Sequence, residues 1–354
     1  MRFDLACLGE PLFEFNQTRA DGDYRPGFGG DVSNCAIAAA RQGARVAMIT
    51  AVGCDSFGDR FLDLWRDEGI DTGAVRRDPA APTGLYFITH GPEGHRFDYR
   101  RAGSAASRLG PDGLDDAVLT ASAFLHVSAI SQAIGPVAAD AVFAAMETVR
   151  AAGGRVAYDT NLRLKLWPLA RAQAIIGRSL AMVDIALPGM DDARLLTGLE
   201  DPDAIIDWFL ARGVSTVALT LGAEGVVLAT DGYRTRVAGH MVAAVDATAA
   251  GDTFDGVFLA ALAAGADVLV YEAMRFERIR QRPPHLQFIL DYHADTPRIG
   301  AQAAELGVPI LVLTHLIPPP ESDDDVQAFV DDIRTAGYAG ELVVAEDLSQ
   351  VTLG

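Results

Sequence analysis

The chain's 354 residues, half of them hydrophobic, are enough for one large α/β domain or two smaller ones, and they carry a formal charge of −19. That charge excludes a nucleic-acid surface, which needs a basic stripe, and it obliges any anionic substrate to be met by locally placed arginines. An acid within residues 1–10 argues against a signal peptide, and no run reaches the roughly 18 uncharged apolar residues of a spanning helix, so no membrane partner is expected. Cys7, Cys35 and Cys54 show neither a C-x-x-C pair nor metal-ligand spacing, which predicts reduced thiols and a cytoplasmic address.

Short β-branched runs then alternate with Ala-rich segments of helical period, the pattern of stacked βαβ units around a mainly parallel sheet. Strands are predicted over residues 5–8, 47–51, 123–127, 155–159, 185–188, 216–220 and 226–230, with helices over 32–42, 57–68, 136–151 and 202–211. Residues 10–25 and 84–100 break this rhythm and predict a small antiparallel flap, a lid built from about 10–30 and 84–101. After Gly265-Ala266-Asp267 the pattern shifts, with Pro283-Pro284, Pro318-Pro319-Pro320 and an acidic run at 321–325. Strands are expected there over 268–271, 309–316 and 341–345, and helices over 297–306 and 326–336, the second capped by Ser322.

The chemistry is concentrated in Asp246-Ala247-Thr248-Ala249-Ala250-Gly251-Asp252-Thr253-Phe254, which precedes an apolar helix over 254–264. Small residues at a helix start leave backbone N–H groups free to meet a phosphoryl group, and the side chains must be small for the backbone to approach it. Asp252 in the same turn is placed to take a proton from an attacking hydroxyl; an acid-capped helix start is the structural alternative. Upstream, the paired glycines of Gly27-Phe28-Gly29-Gly30-Asp31-Val32-Ser33-Asn34 let a polyol lie against the backbone, with Asp31 and Asn34 bonding its hydroxyls. No clear strand precedes that segment, so it carries no dinucleotide fingerprint, and the bland alternative is a tight turn with a helix cap.

The helix-start run resembles the carboxy-terminal signature of pfkB (ribokinase-like) sugar kinases, with Ala249 where a glycine is usual. The resemblance implies a three-layer α/β/α sandwich with a small β lid over residues 1–266. It also implies Asp252 as catalytic base, the amides of Ala249, Ala250 and Gly251 as anion hole, and Gly29, Gly30, Asp31 and Asn34 as the sugar-binding segment. Two further runs, Phe97-Asp98-Tyr99-Arg100-Arg101-Ala102-Gly103 and Tyr158-Asp159-Thr160-Asn161-Leu162-Arg163, resemble the 2-keto-3-deoxygluconate kinase branch. They imply that Tyr99, Arg101 and Arg163 hold an acid substrate, since arginine grips a carboxylate bidentately and lysine does not. Thr220-Leu221-Gly222-Ala223-Glu224-Gly225 resembles the nucleotide loop, so Thr220, Gly222 and Gly225, with Asn161, are expected on ATP, and Mg²⁺ is expected with it. The Asn-x-x-Glu element of many relatives appears only as Gly189-Met190-Asp191-Asp192, and a P-loop lysine motif is absent. Oligomerisation through the lid is a further implication.

Residues 267–354 match no kinase phrase. Val268-Leu269-Val270-Tyr271-Glu272, Asp291-Tyr292-His293-Ala294-Asp295 and Ile310-Leu311-Val312-Leu313-Thr314-His315 resemble the C-terminal part of metallo-β-lactamase-fold, ribonuclease Z-like hydrolases. The His-x-His-x-Asp-His run that supplies most zinc ligands there is absent, so no metal residue is assigned. Three functions follow in order: a sugar-acid kinase, a non-catalytic sugar-acid-binding protein that kept the pocket, and a zinc-dependent hydrolase.

Overall fold

The computed structural model describes residues 3–17, 22–91, 94–240, 242, 248–265, 268–283, 290 and 294–345. Asp246, Ala247, Ala266, Asp267, Pro284 and residues 291–293, all invoked above, lie outside them. The chain divides into two compact units, Met1–Ala264 and Gly265–Gly354.

The first unit opens with β1 (Phe3–Leu8), β2 (Leu12–Gln17), β3 (Tyr24–Gly29), α1 (Asp31–Arg41) and β4 (Val46–Gly53). It continues through α2 (Ser56–Asp67), capped by Asp55 accepting from the Gly58 amide at 2.8 Å, then β5 (Val75–Asp78), β6 (Gly84–Gly91) and β7 (Gly94–Arg100). Then follow α3 (Asp116–Thr120), β8 (Ser122–Ser128), α4 (Ala129–Ala133), α5 (Pro136–Ala151) and β9 (Arg155–Asp159). The remainder is α6 (Leu169–Leu180), β10 (Ile185–Ala186), α7 (Met190–Thr197), α8 (Pro202–Leu210), β11 (Thr216–Thr220), β12 (Gly225–Thr230), β13 (Tyr233–Ala238) and α9 (Ala250–Ala264). Pro136 and Pro202 stand in the first turns of α5 and α8, where their missing N–H groups would be unpaired anyway.

Among the described residues, nine strands form one sheet in the order β13-β12-β11-β10-β9-β8-β1-β4-β5. It is parallel except for the antiparallel β11–β12 and β12–β13 pairs at one edge. Alternate residues of β1 and β4 enter different cores, which makes the sheet the middle of three layers. Leu5, Cys7, Val46 and Met48 pack with Phe61 and Trp65 of α2 and Leu259 of α9. Ala6, Leu8, Ala47 and Ile49 share the other core with Met146 of α5 and Ile176 of α6.

A second sheet, β3-β2-β6-β7, forms the lid. It departs from the wholly antiparallel flap expected, because β2 and β6 run parallel, with Leu12 opposite Gly84. The segment before Gly29-Gly30 is a strand after all: β3 pairs antiparallel to β2, although Pro26 and Gly27 conceal it. The helix expected from 254 begins four residues earlier, at Ala250.

The second unit holds β14 (Val268–Met274), α10 (Phe276–Arg280), α11 (Thr296–Leu306), β15 (Ile310–Ile317), α12 (Asp323–Thr335) and β16 (Glu341–Val344). Among its described residues three strands pair in parallel, with β15 central, over a core of its own that includes Ile299, Leu311, Leu313, Phe329 and Ile333. Ser322 caps α12 by accepting from the Asp325 amide.

Candidate active site

Two helix N-termini and the carboxyl ends of two central strands create the site, where ligands of open α/β sheets are bound. Gly30 has φ +107°, and a Cβ there would lie 2.4 Å from the Glu10 carbonyl oxygen. Only glycine makes that turn from β3 into α1, and it sets Asp31 and Asn34 in the first turn and a half of the helix. At α9 the left-handed residue is Ala249, φ +62°. The Thr253 amide bonds back to the Ala249 carbonyl at 2.9 Å, so the amides of Ala250, Gly251 and Asp252 have no partner within the helix.

The two helices lie unusually close. A Cβ on Gly256 of α9 would meet the Cys35 carbonyl oxygen of α1 at 2.3 Å. That approach lets Asn34 Nδ2 donate to Asp252 Oδ2 at 2.9 Å, across 218 residues of sequence.

Around this pair the strand ends add polar groups. Asp31 Oδ2 accepts from Ser128 Oγ at 2.6 Å and from Asn161 Nδ2 at 3.1 Å, and the Asn161 amide donates to Asp159 Oδ1 at 2.9 Å. Asp192, in the first turn of α7, accepts from the Leu162 amide at 2.9 Å and from Arg163 Nη1 at 3.2 Å. A cavity of about 310 Å³ is lined by Asp159, Arg163, Thr220, Gly251, Asp252 and Asp255, among others. A second, of about 580 Å³, shares Gly189, Asp192 and Thr220 with it and extends to Gly222, Glu224 and Arg236.

Burial first, then the Asp31 charge, pushes the Asp252 carboxyl up to about 6, against the opposing pull of Asn34 and Arg163. Asp252 is thus poised to exchange a proton near neutral pH, the property a general base needs. Asp255, one turn further on, is pushed far up by burial and by Asp159, Asp252 and Asp31. Burial and the same neighbours, Asp252 and Asp31, raise Asp159 against the bond from the Asn161 amide.

On the lid side, Gly29 lies under the Tyr86 hydroxyl, and Tyr99 is exposed on β7. Arg101 forms an ion pair with the fully buried Glu10. Of the residues expected at the site, Asp31, Asn34, Asn161, Arg163, Thr220, Ala249, Ala250, Gly251 and Asp252 come together, and Gly222 lines the adjoining cavity. Asn161, expected on the nucleotide, donates through its side-chain amide to Asp31. Gly225 lines neither cavity; its φ of +101° and the Val237 carbonyl, 2.0 Å from where a Cβ would sit, account for the glycine. Ser128, Asp159, Asp255 and Glu10 were not singled out, although the acids at positions 10 and 159 stand at or just past the ends of apolar strands, a readable signal. Among the described residues no cluster of three or more His, Cys, Asp or Glu is arranged to hold a metal ion, and no helix is long and apolar enough to cross a membrane.

The chain belongs to the pfkB family of carbohydrate kinases, which matches residues 3–271. It is 34% identical to a 2-dehydro-3-deoxygluconokinase of Thermoproteus tenax over 74% of this chain and 83% of that protein. It is 32% identical to the probable fructokinase-4 of Arabidopsis thaliana over 78% of this chain and 87% of that one. An E. coli protein described as a ribokinase II, solved in complex with ATP and Mg²⁺, superposes with a TM-score of 0.68 at 25% identity, over 73% of this chain and 85% of that chain. The fold is therefore ribokinase-like, and the protein is a carbohydrate kinase.

Proposed function

We propose that this kinase transfers the γ-phosphoryl group of ATP to the terminal hydroxyl of 2-keto-3-deoxygluconate. The observation that carries a kinase reaction here is the juxtaposition of Asn34, Asp252 and the first turn of α9. Asp252 takes the hydroxyl proton, and Asn34 holds its carboxylate in line. The amides of Ala249, Ala250 and Gly251, at and just before the first turn of α9, would meet the charge that grows on the phosphoryl oxygens. ATP would enter along Thr220, on the edge the two cavities share, and Gly222 in the adjoining one, where φ +60° leaves open space beside the backbone. Mg²⁺ would enter with the nucleotide and neutralise its phosphates.

Support for an acid substrate comes from Arg101 and Arg163 and from the deoxygluconokinase relatives. Arg163 lines the catalytic cavity and is half exposed, so its remaining donors are open to a substrate carboxylate. For Arg101→Lys and Arg163→Lys, calorimetry should show acid binding weakened by about tenfold or more, because the planar fork is lost. ATP binding should stay as it was. Unchanged acid affinity in both variants would remove the arginines from the site.

A further inference from the structure

Several stretches of chain converge at the base of the lid, and one buried residue touches or abuts them through its carboxylate and its backbone carbonyl. Glu10 stands between β1 and β2 with no exposed side-chain surface. Its carbonyl oxygen lies against Gly30, and its carboxylate Oε1 lies 3.0 Å from where a Cβ on Gly84, the first residue of β6, would be. Ser104 Oγ donates to Oε1 at 2.7 Å, and the Arg101 guanidinium pairs with Oε2 just beyond β7. A carboxylate fully out of water is strongly disfavoured unless paired, and removing one member of such a pair leaves the other charge uncompensated. Arg101 is itself nearly buried beneath the Tyr99 ring, its guanidinium carbon 5.5 Å from the ring centroid, and its Nε has no protein acceptor.

We infer that Glu10 is the positioning residue for Arg101. It fixes the guanidinium just beyond β7, while its own backbone carbonyl abuts Gly30, so that the fork meets the acid end of the substrate in one orientation. The inference rests on the acid-substrate reading above and adds to it the group that sets the arginine's geometry. Among the described residues no other carboxylate forms an ion pair with Arg101, and the Tyr99 ring over the guanidinium carries no charge to replace Glu10.

The test is a double-mutant cycle of Glu10→Gln and Arg101→Lys on the full-length enzyme, reading the KM for 2-keto-3-deoxygluconate, the KM for ATP and kcat separately. Glu10→Gln keeps the acceptor for Ser104 and removes the charge. It should raise the acid KM by about tenfold and leave kcat and the ATP KM within about twofold, whereas a general structural defect would move all three. Arg101→Lys should then add less than about twofold in the Glu10→Gln background, against about tenfold alone. Should Glu10→Gln fail to fold, Ser104→Ala, which frees the carboxylate to turn while keeping both charges, should raise the acid KM by a smaller, acid-specific factor. Acid turnover that depends on Arg101 but ignores Glu10 and Ser104, or multiplicative effects of the two substitutions, would overturn this inference alone. Failure of the wild-type enzyme to use the acid would overturn the substrate reading and this inference together.

Discussion

At the scale of single residues, Asp252 is held near neutrality by opposing neighbours, and each has a predictable effect on the pH dependence of turnover. The base must be ionised to accept a proton, so kcat/KM, which reports the free enzyme, should fall as pH drops through about 6, the position set by burial, Asp31, Asn34 and Arg163. Asp31→Asn removes a raising charge and should move that limb to lower pH. Asn34→Ala removes the bond that favours the carboxylate and should move it to higher pH. Shifts in the opposite directions, measured from kcat/KM–pH profiles, would reassign the titrating group. Ala249 makes a second case. At φ +62° an alanine carries left-handed strain of roughly 1–2 kcal/mol, and glycine relieves it at about 0.4–1 kcal/mol of added freedom in the unfolded chain. Ala249→Gly should therefore stabilise the kinase unit by about 0.5–1 kcal/mol and retain turnover. Calorimetric melting that shows a lower Tm would contradict the strained geometry.

At the scale of elements, the distance between α1 and α9 governs the site. Gly256→Ala would drive a methyl into the Cys35 carbonyl, the Ala38 side chain and the Ala39 amide, and two of those neighbours are backbone atoms that cannot rotate away. Separation of the helices should cost about 1–3 kcal/mol, the usual penalty of overpacking, and lengthen the Asn34–Asp252 bond. Turnover should fall at least about tenfold while sugar and ATP still bind, and stability and kcat both at wild-type values would refute this coupling. The strands of the central sheet were legible because β-branched runs and Ala-rich helical repeats follow the periods of their elements, so β9 and β11 fall where expected. The start of α9 was not, since Ala250-Gly251-Asp252 has no apolar period and its helical state depends on the turn at Ala249. The parallel β2–β6 pairing was hidden for another reason: alternation reports which face is buried, not which strand lies alongside. The acid at position 10 was readable just past an apolar strand, but its burial and its pairing with Arg101 were not, because an acid is expected at the surface and the partner lies 91 residues away in the chain.

At the scale of the whole molecule, the pfkB family matches residues 3–271, and the second unit, Gly265–Gly354, has a parallel sheet and core of its own. Among its described residues, β14, α11, β15, α12 and β16 follow from the sequence pattern, whereas the short α10 was not expected. What the catalytic unit acts on is the central claim, and one assay addresses it most directly. Coupled ADP release should be measured on the full-length chain with ATP and Mg²⁺, comparing 2-keto-3-deoxygluconate with fructose, ribose and adenosine. A kcat/KM for the acid at least about tenfold above that for each neutral acceptor, lost on Asp252→Asn by roughly 10²–10⁴-fold, is the predicted result. A higher kcat/KM for fructose or ribose than for the acid would contradict it.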